Sequence, residues 1–279
     1  MATTAALVGE PGPSVLARLR GRLPETVGTP LLVVAIIALW QLAIVAFDIR
    51  SVILPSPLAV WNSLIVGLNP ASPQAFYPHI GITLWEILAG FGLGALIGLV
   101  LALLLSQLRM LERVVKPLIV GFQSMPKIAI APMFIIWFGF GATSKIALVA
   151  LVVFFPILVA GLTGFRSVDQ ERLEVMRSLG GSKWQTFTKL VLPGSLPFVF
   201  AGLEISLVHA MTATIVAEFL AGAQGLGVLV VQMGQVLNTA GVFAVMVVLG
   251  LLGWGLVQIL ALVRKRLLFW SIDTRRPNI

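Results

Sequence analysis

The chain has 279 residues, of which 58% are hydrophobic and 11% charged, against about 25% charged in an average soluble domain. A mean hydropathy of +1.03 leaves too few polar groups to cover a water-facing surface; this excludes a soluble globular, a disordered and a fibrous protein and points to an integral membrane protein. The net charge is +8 with a pI near 10.9, and the absence of cysteine excludes disulfides, thiolate metal sites and cysteine nucleophiles.

Residues 1–29 carry Arg18, Arg20 and Arg22 but no signal-peptide core, and read as a tail before an uncleaved first span. A helix crossing the hydrocarbon core takes roughly 20 mostly apolar residues. Pro30 to Phe47 is the first such stretch, Ile80 to Ser106 the second. The third, Pro117 to Phe140, is interrupted by Pro126 and Pro132. Lys145 to Phe165, Leu196 to Leu220 and Gly241 to Val263 complete six spans in one membrane domain, 30–265, followed by a tail, 266–279. The runs are too long and continuous for a barrel.

Between the first two spans, Pro55-Ser56-Pro57 reads as a turn feeding a short helix over Leu58 to Val66, with Ser56 as its cap. In the second span Gly90, Gly94 and Gly98 recur every fourth residue, a spacing that lets another helix approach closely. They lack the third glycine and the preceding strand of a dinucleotide fingerprint. Gly139 to Lys145 has the composition of a phosphate loop, but its Ser precedes its Lys beside a span, so no ATP site follows.

Sixteen of the nineteen Lys and Arg fall in the two tails, the loop after span two and the loop after span four. By the positive-inside rule both termini are cytoplasmic. The basic pI is therefore a topology signal, and nucleic acid is not a partner.

The loop 166–193 has its own amphipathic pattern. Ser167-x-x-Gln170 and Ser182-x-x-Gln185 each have capping-box spacing. Leu173, Met176 and Leu179 recur at helical spacing, Gly180-Gly181 supplies a stop, and Trp184, Phe187 and Leu190 follow. Two short helices joined at a glycine turn are expected, closed by Leu192-Pro193 before span five. Such a unit either lies on the lipid surface or docks a cytoplasmic partner.

Glu174, Gly180, Leu190, Leu192 and Pro193 stand in the register of Glu-Ala-Ala, three residues, Gly, nine residues, an aliphatic residue, one residue, Leu-Pro. The chain thus resembles the permease subunits of ATP-binding-cassette (ABC) importers, with Val175 and Met176 in place of the two alanines. Leu54-Pro55-Ser56-Pro57, Gln123 to Ala129, Trp137 to Gly141, and Ala217-Glu218-Phe219 followed by Gly225-Leu226-Gly227 resemble the nitrate/sulfonate/taurine branch.

The resemblance implies an all-α, type I importer permease that works as a dimer. It implies a cytoplasmic ABC ATPase dimer gripping the loop, and an extracytoplasmic binding protein delivering solute. Glu171, Leu173, Glu174, Met176, Arg177, Leu179 and Gly180 then form the ATPase-coupling helix. The chain itself is a transport subunit, not an enzyme, with no cofactor or metal. Relatives carry sulfonates, taurine, nitrate and pyrimidine-type vitamin precursors.

Intramembrane polar residues are functional candidates by default. Gln123, Ser124 and Lys127 in the proline-broken span, with His209 and Glu218 in span five, are the pathway candidates; Glu218 resembles a family gate element. Lys127 would suit an anionic solute. Glu86 and Glu204 lie near span ends, where snorkelling gives them a structural role. An ion-gradient-driven transporter would require an inverted repeat or a buried ion-coupling cluster. An intramembrane enzyme would require convergent catalytic groups. Neither pattern is present in the sequence.

Overall fold

The computed structural model describes residues 25–72 and 75–270. The tail arginines Arg18, Arg20, Arg22, Arg275 and Arg276 lie outside them. Among the described residues all regular structure is helical.

The first span is α1 (Glu25–Ala46), with none of its apolar window buried. Its side chains from Leu31 to Leu39 are exposed all round, as suits a helix solvated by lipid tails. Trp40 is an exception and tilts against Phe243 at 5.7 Å. The short helix α2 (Pro57–Leu68) starts at Ser56, whose Oγ accepts from the Ala59 N–H at 3.2 Å, with Pro57 in the first turn.

Span two is α3 (Tyr77–Gln107), 31 residues long. At 1.5 Å per residue it reaches about 46 Å, more than the roughly 30 Å hydrocarbon core. Span three is broken. Helix α4 (Arg109–Ser124) ends at Met125, held extended by the proline that follows it. A single 3-10 turn (Lys127–Ile130) then leads into α5 (Ala131–Phe138), and the two arms meet at 82°. Gly139 (φ +77) and Gly141 (φ +140) turn the chain into α6 (Ala142–Phe165), span four.

The next loop differs from its sequence reading in two places. Helix α7 (Gln170–Ser178) has Asp169, not Ser167, at its N-cap position, with no side-chain capping bond. The Ser167 hydroxyl instead donates back to the Gly164 carbonyl at 2.8 Å, so the first capping box does not form. The second does form: Ser182 and Gln185 satisfy each other's backbone N–H groups at the start of α8 (Lys183–Thr186). Leu192-Pro193 does not close the unit. Through a π turn (Phe187–Val191), α8 runs on into α9 (Leu192–Ala221), giving one helical rod of 39 residues, 183–221. Pro193 falls in the first turn of α9, where a missing N–H is tolerated.

Sequence reading passed over α10 (Leu226–Gln235), a short apolar helix before span six, α11 (Thr239–Leu267). With ten residues it is too short to cross a bilayer.

Helices α3, α6 and α9 form the centre. Gly90, Gly94 and Gly98 are buried against α6. A Cβ at Gly98 would lie 2.9 Å from the Phe154 carbonyl oxygen, and one at Gly94 would meet the Ala150 backbone. On the other side of α6, Gly202 of α9 lies against Ala160, and the Ser206 hydroxyl donates to the Val153 carbonyl at 3.3 Å. Ile87, Val149, Val153, Ile157, Leu207 and Ala210 fill the space between the three helices. At the end opposite α7, the helices α2, α10 and α11 share a second core with Val60, Phe76, Leu226, Met233 and Val245.

Candidate functional site

Three features carry candidate chemistry: the projecting helix α7, the break in span three, and a buried polar node at the end opposite α7.

Helix α7 has no buried residue. Leu173 and Met176 are half-covered on the bundle side, while Leu179 is 77% exposed. Glu171, Glu174 and Arg177 are exposed too. The helix stops in a Schellman turn: Gly180 adopts φ +73, its N–H donates to Arg177 O at 3.0 Å, and the Gly181 N–H donates to Met176 O at 2.9 Å. A Cβ on Gly180 would meet nothing within 4 Å. The constraint there is backbone sign, not space. The structure thus gathers the seven residues singled out in this loop onto one projecting helix of about two and a half turns and its glycine stop, with polar and apolar groups both outward.

At the break in span three, Gln123 and Ser124 are exposed and Lys127 is half-buried. Lys127 Nζ donates to the Gln123 carbonyl at 3.2 Å and lies 5.4 Å from the centroid of the Phe155 ring. Phe122 stacks on the same ring at 5.9 Å. A proline break frees backbone carbonyls that must be satisfied inside the membrane, and the lysine serves one of them. The three residues are brought together.

His209 and Glu218 are not brought together. His209 lies on the exposed face of α9 and donates from Nδ1 to Ile205 O, 2.8 Å away on its own helix. Thr212, on the same face, donates to Val208 O. Glu204, nearer the α7 end, does not snorkel alone: it accepts from Arg264 of α11 at 3.0 and 3.2 Å.

Glu218 is 1% exposed. One carboxylate oxygen accepts from the Thr83 hydroxyl at 2.6 Å, the other from the Gly227 N–H at 2.5 Å. Thr83 Oγ1 in turn accepts from the Leu226 N–H at 2.8 Å, and His79 Nδ1 accepts from the Gly225 N–H at 3.0 Å. The orphan donors that open α10 are thus satisfied by side chains of α3 and α9, with negative charge at the positive helix end. Gly225 (φ +132) and Gly227 leave the room: a Cβ at either would collide with the Glu218 carboxylate.

Beside this, Glu86 and Lys145 form an ion pair, their side chains 1% and 4% exposed. The structural reading of Glu86 stands in place but not in mechanism, because it is buried and paired where snorkelling to the interface was expected. Lys145, expected at the very start of span four, sits in the first turn of α6, inside the protein. Lys145, Thr83 and His79 were missed by sequence reading. His79, Thr83, Glu86 and Gly90 do share one helical face by their spacing, which was the available signal.

The chain belongs to the family of binding-protein-dependent transport system inner membrane components, whose model matches residues 94–268. The formylaminopyrimidine transport permease protein ThiX of Halalkalibacterium halodurans is 35% identical over 201 residues, covering 72% of this chain and 79% of the relative. The taurine transport system permease protein TauC of Escherichia coli is 31% identical over 262 residues, covering 91% of this chain and 94% of the relative. The putative aliphatic sulfonates transport permease protein SsuC of Bacillus subtilis is 31% identical over 243 residues, 86% of each chain. Among solved structures, the inward-facing MetNI methionine ABC transporter superposes with a TM-score of 0.58 at 22% identity, covering 70% of this chain and 95% of that chain; at this identity the likeness is one of fold. The protein is a multi-pass inner-membrane permease subunit of an ABC importer for a small solute, of the sulfonate and taurine branch, and is not itself an enzyme.

Proposed function

We propose that this permease passes a small anionic solute, such as an aliphatic sulfonate, taurine or a nitrate-like ion, received from an extracytoplasmic binding protein. In this reading two copies of the chain enclose the pathway, both termini are cytoplasmic, and each α7 seats in a groove of a cytoplasmic ABC ATPase dimer. The observation that carries it is the form of α7: a nine-residue helix with no buried residue, held away from the bundle by a Schellman stop at Gly180. A helix that buries none of its residues within its own chain is built to meet something else, and outward apolar residues beside Glu171, Glu174 and Arg177 suit a protein groove. Glu171, Leu173, Glu174, Met176, Arg177, Leu179 and Gly180 form the coupling element.

Gln123, Ser124 and Lys127, with His209 on the open face of α9, line the pathway in this reading. A histidine and a lysine turned toward hydrocarbon would be costly, whereas facing a second copy across a water-filled path they are not. Glu218 acts beside the path, by holding α10.

The test is reconstitution of the permease with its ATPase in proteoliposomes. Loaded binding protein is expected to stimulate ATP hydrolysis and sulfonate uptake in the wild type. Gly180→Asp should assemble but hydrolyse only at the basal rate. Wild-type stimulation in an assembled Gly180→Asp complex would remove α7 from coupling.

A further inference from the structure

The helical rod 183–221 is built in two unequal parts. Its first part, α8 and the π turn, buries no residue. From Ser195 onward buried residues recur along it, among them Val199, Phe200 and Ser206. Gly164 of α6 marks the boundary. A Cβ there would lie 2.9 Å from the Ser195 carbonyl oxygen and 3.0 Å from the Phe198 Cβ, so α6 pins the rod at Ser195.

Just short of that contact the helical bonding is loosest. In the π turn the Leu192 N–H reaches back five residues to the Phe187 carbonyl. The Phe187 N–H is shared between the Lys183 and Trp184 carbonyls. Pro193 and Pro197 have no N–H, so the carbonyls of Lys189 and Pro193 lack the donor a regular α-helix supplies. The Thr188 hydroxyl donates back to the Trp184 carbonyl at 2.8 Å, a bond of the kind that bends helices. Kinks collect at prolines and π turns, and a single π turn inside an α-helix is frequent at functional positions. Ring contacts hold this stretch to the bundle: Phe187 lies 6.3 Å from Phe165 of α6 and 6.1 Å from Trp184. Apolar contact is non-directional and survives a small rotation. Beyond the π turn, the Schellman stop and the Ser182–Gln185 box stiffen the short connection of α7 to α8.

We infer that the π turn is a mechanical joint: the α7–α8 unit swings on it against the part of α9 fixed at Gly164. Trading an i→i+5 bond for an i→i+4 bond shifts what lies beyond by up to one helical residue, about 100° and 1.5 Å, and leaves the rod unbroken. The inference deepens the coupling reading and rests on it: α7 is the handle, and the π turn is where the handle bends.

The test uses the complete transporter in nanodiscs, ATPase and binding protein included. Hydrogen–deuterium exchange is read at rest and after trapping with ATP and vanadate. Exchange at the amides of 187–192 is expected to change about five-fold, the worth of one backbone hydrogen bond, while 199–213 stays unchanged. Equal exchange over 187–192 in the two states would overturn the joint. A change of the same size over 199–213 would do so too, because span five would then yield along its whole length. A second readout locks the joint. A Cβ on Gly194 would lie 3.4 Å from Val168 Cγ2, and the chain has no cysteine of its own. In a Val168→Cys, Gly194→Cys double variant, a disulfide would tie the root of α7 to the fixed side of the joint. Stimulation of ATP hydrolysis by loaded binding protein is expected to be lost on oxidation and to return on reduction. Full stimulation with the disulfide formed would overturn the joint. Failure of the coupling reading itself would show separately, in the wild type, as an ATPase that loaded binding protein does not stimulate.

Discussion

Glu86 and Lys145 are 59 positions apart in sequence and form an ion pair inside the protein. A buried pair is weak evidence of net stability, because taking two charges out of water is costly; removing one partner is far worse, since it strands the other. Lys145→Met is therefore expected to destabilise the protein by about 3–5 kcal/mol, read as a lowered thermal midpoint in detergent. Glu86→Leu combined with Lys145→Met should recover most of that loss. A single Lys145→Met variant as stable as wild type would show that the pair does not hold α3 to α6. Pattern reading finds such acids because they interrupt apolar runs, and it found Glu86 and Glu218. It cannot find their partners: nothing local in the sequence marks Thr83 as the hydroxyl between Glu218 and the Leu226 N–H, because that contact is made only when three helices and a turn converge.

At the scale of elements, what was legible is what is encoded locally. Ser56 before Pro57 and the Ser182–Gln185 box are side chains acting within a few residues, and both form. Ser167 failed because Asp169, nearer the first helical residue, took the N-cap position. Helix α10 was lost because ten mostly apolar residues after a glycine turn satisfy no span rule, and its start is held by distant side chains. The stop of α7 separates two contributions to coupling. At φ +73 an asparagine is tolerated, while alanine is disfavoured by about 1 kcal/mol or more. Gly180→Asn should thus retain most ATP-driven uptake, Gly180→Ala should lose part through strain, and Gly180→Asp, shaped like Asn but charged, should lose it all. Equal loss in Asn and Asp would place the constraint in contact with the ATPase instead of in charge.

For the whole molecule, the asymmetry of burial matters most. Helix α6 is enclosed, with over half of its apolar window buried, while α1 buries none of its own. Lipid accounts for a uniformly apolar helix such as α1. It does not account for the break in span three, where an amine and an amide side chain sit on exposed backbone turns. In the proposed dimer that break faces the path, and Lys127 becomes the cation a sulfonate passes. Lys127→Met removes the charge and keeps a flexible chain of similar reach, so folding, assembly and basal ATP hydrolysis should be unaffected. Uptake of a sulfonate driven by loaded binding protein should fall about ten-fold, the scale of one charge-assisted hydrogen bond, and Lys127→Arg should restore much of it. Stimulation of ATP hydrolysis by the binding protein should persist in Lys127→Met, because α7 and α10 are untouched; uptake and hydrolysis would then separate. Unchanged uptake in Lys127→Met would take the lysine off the path and leave it with the role visible within one chain, closing the Gln123 carbonyl at a proline break.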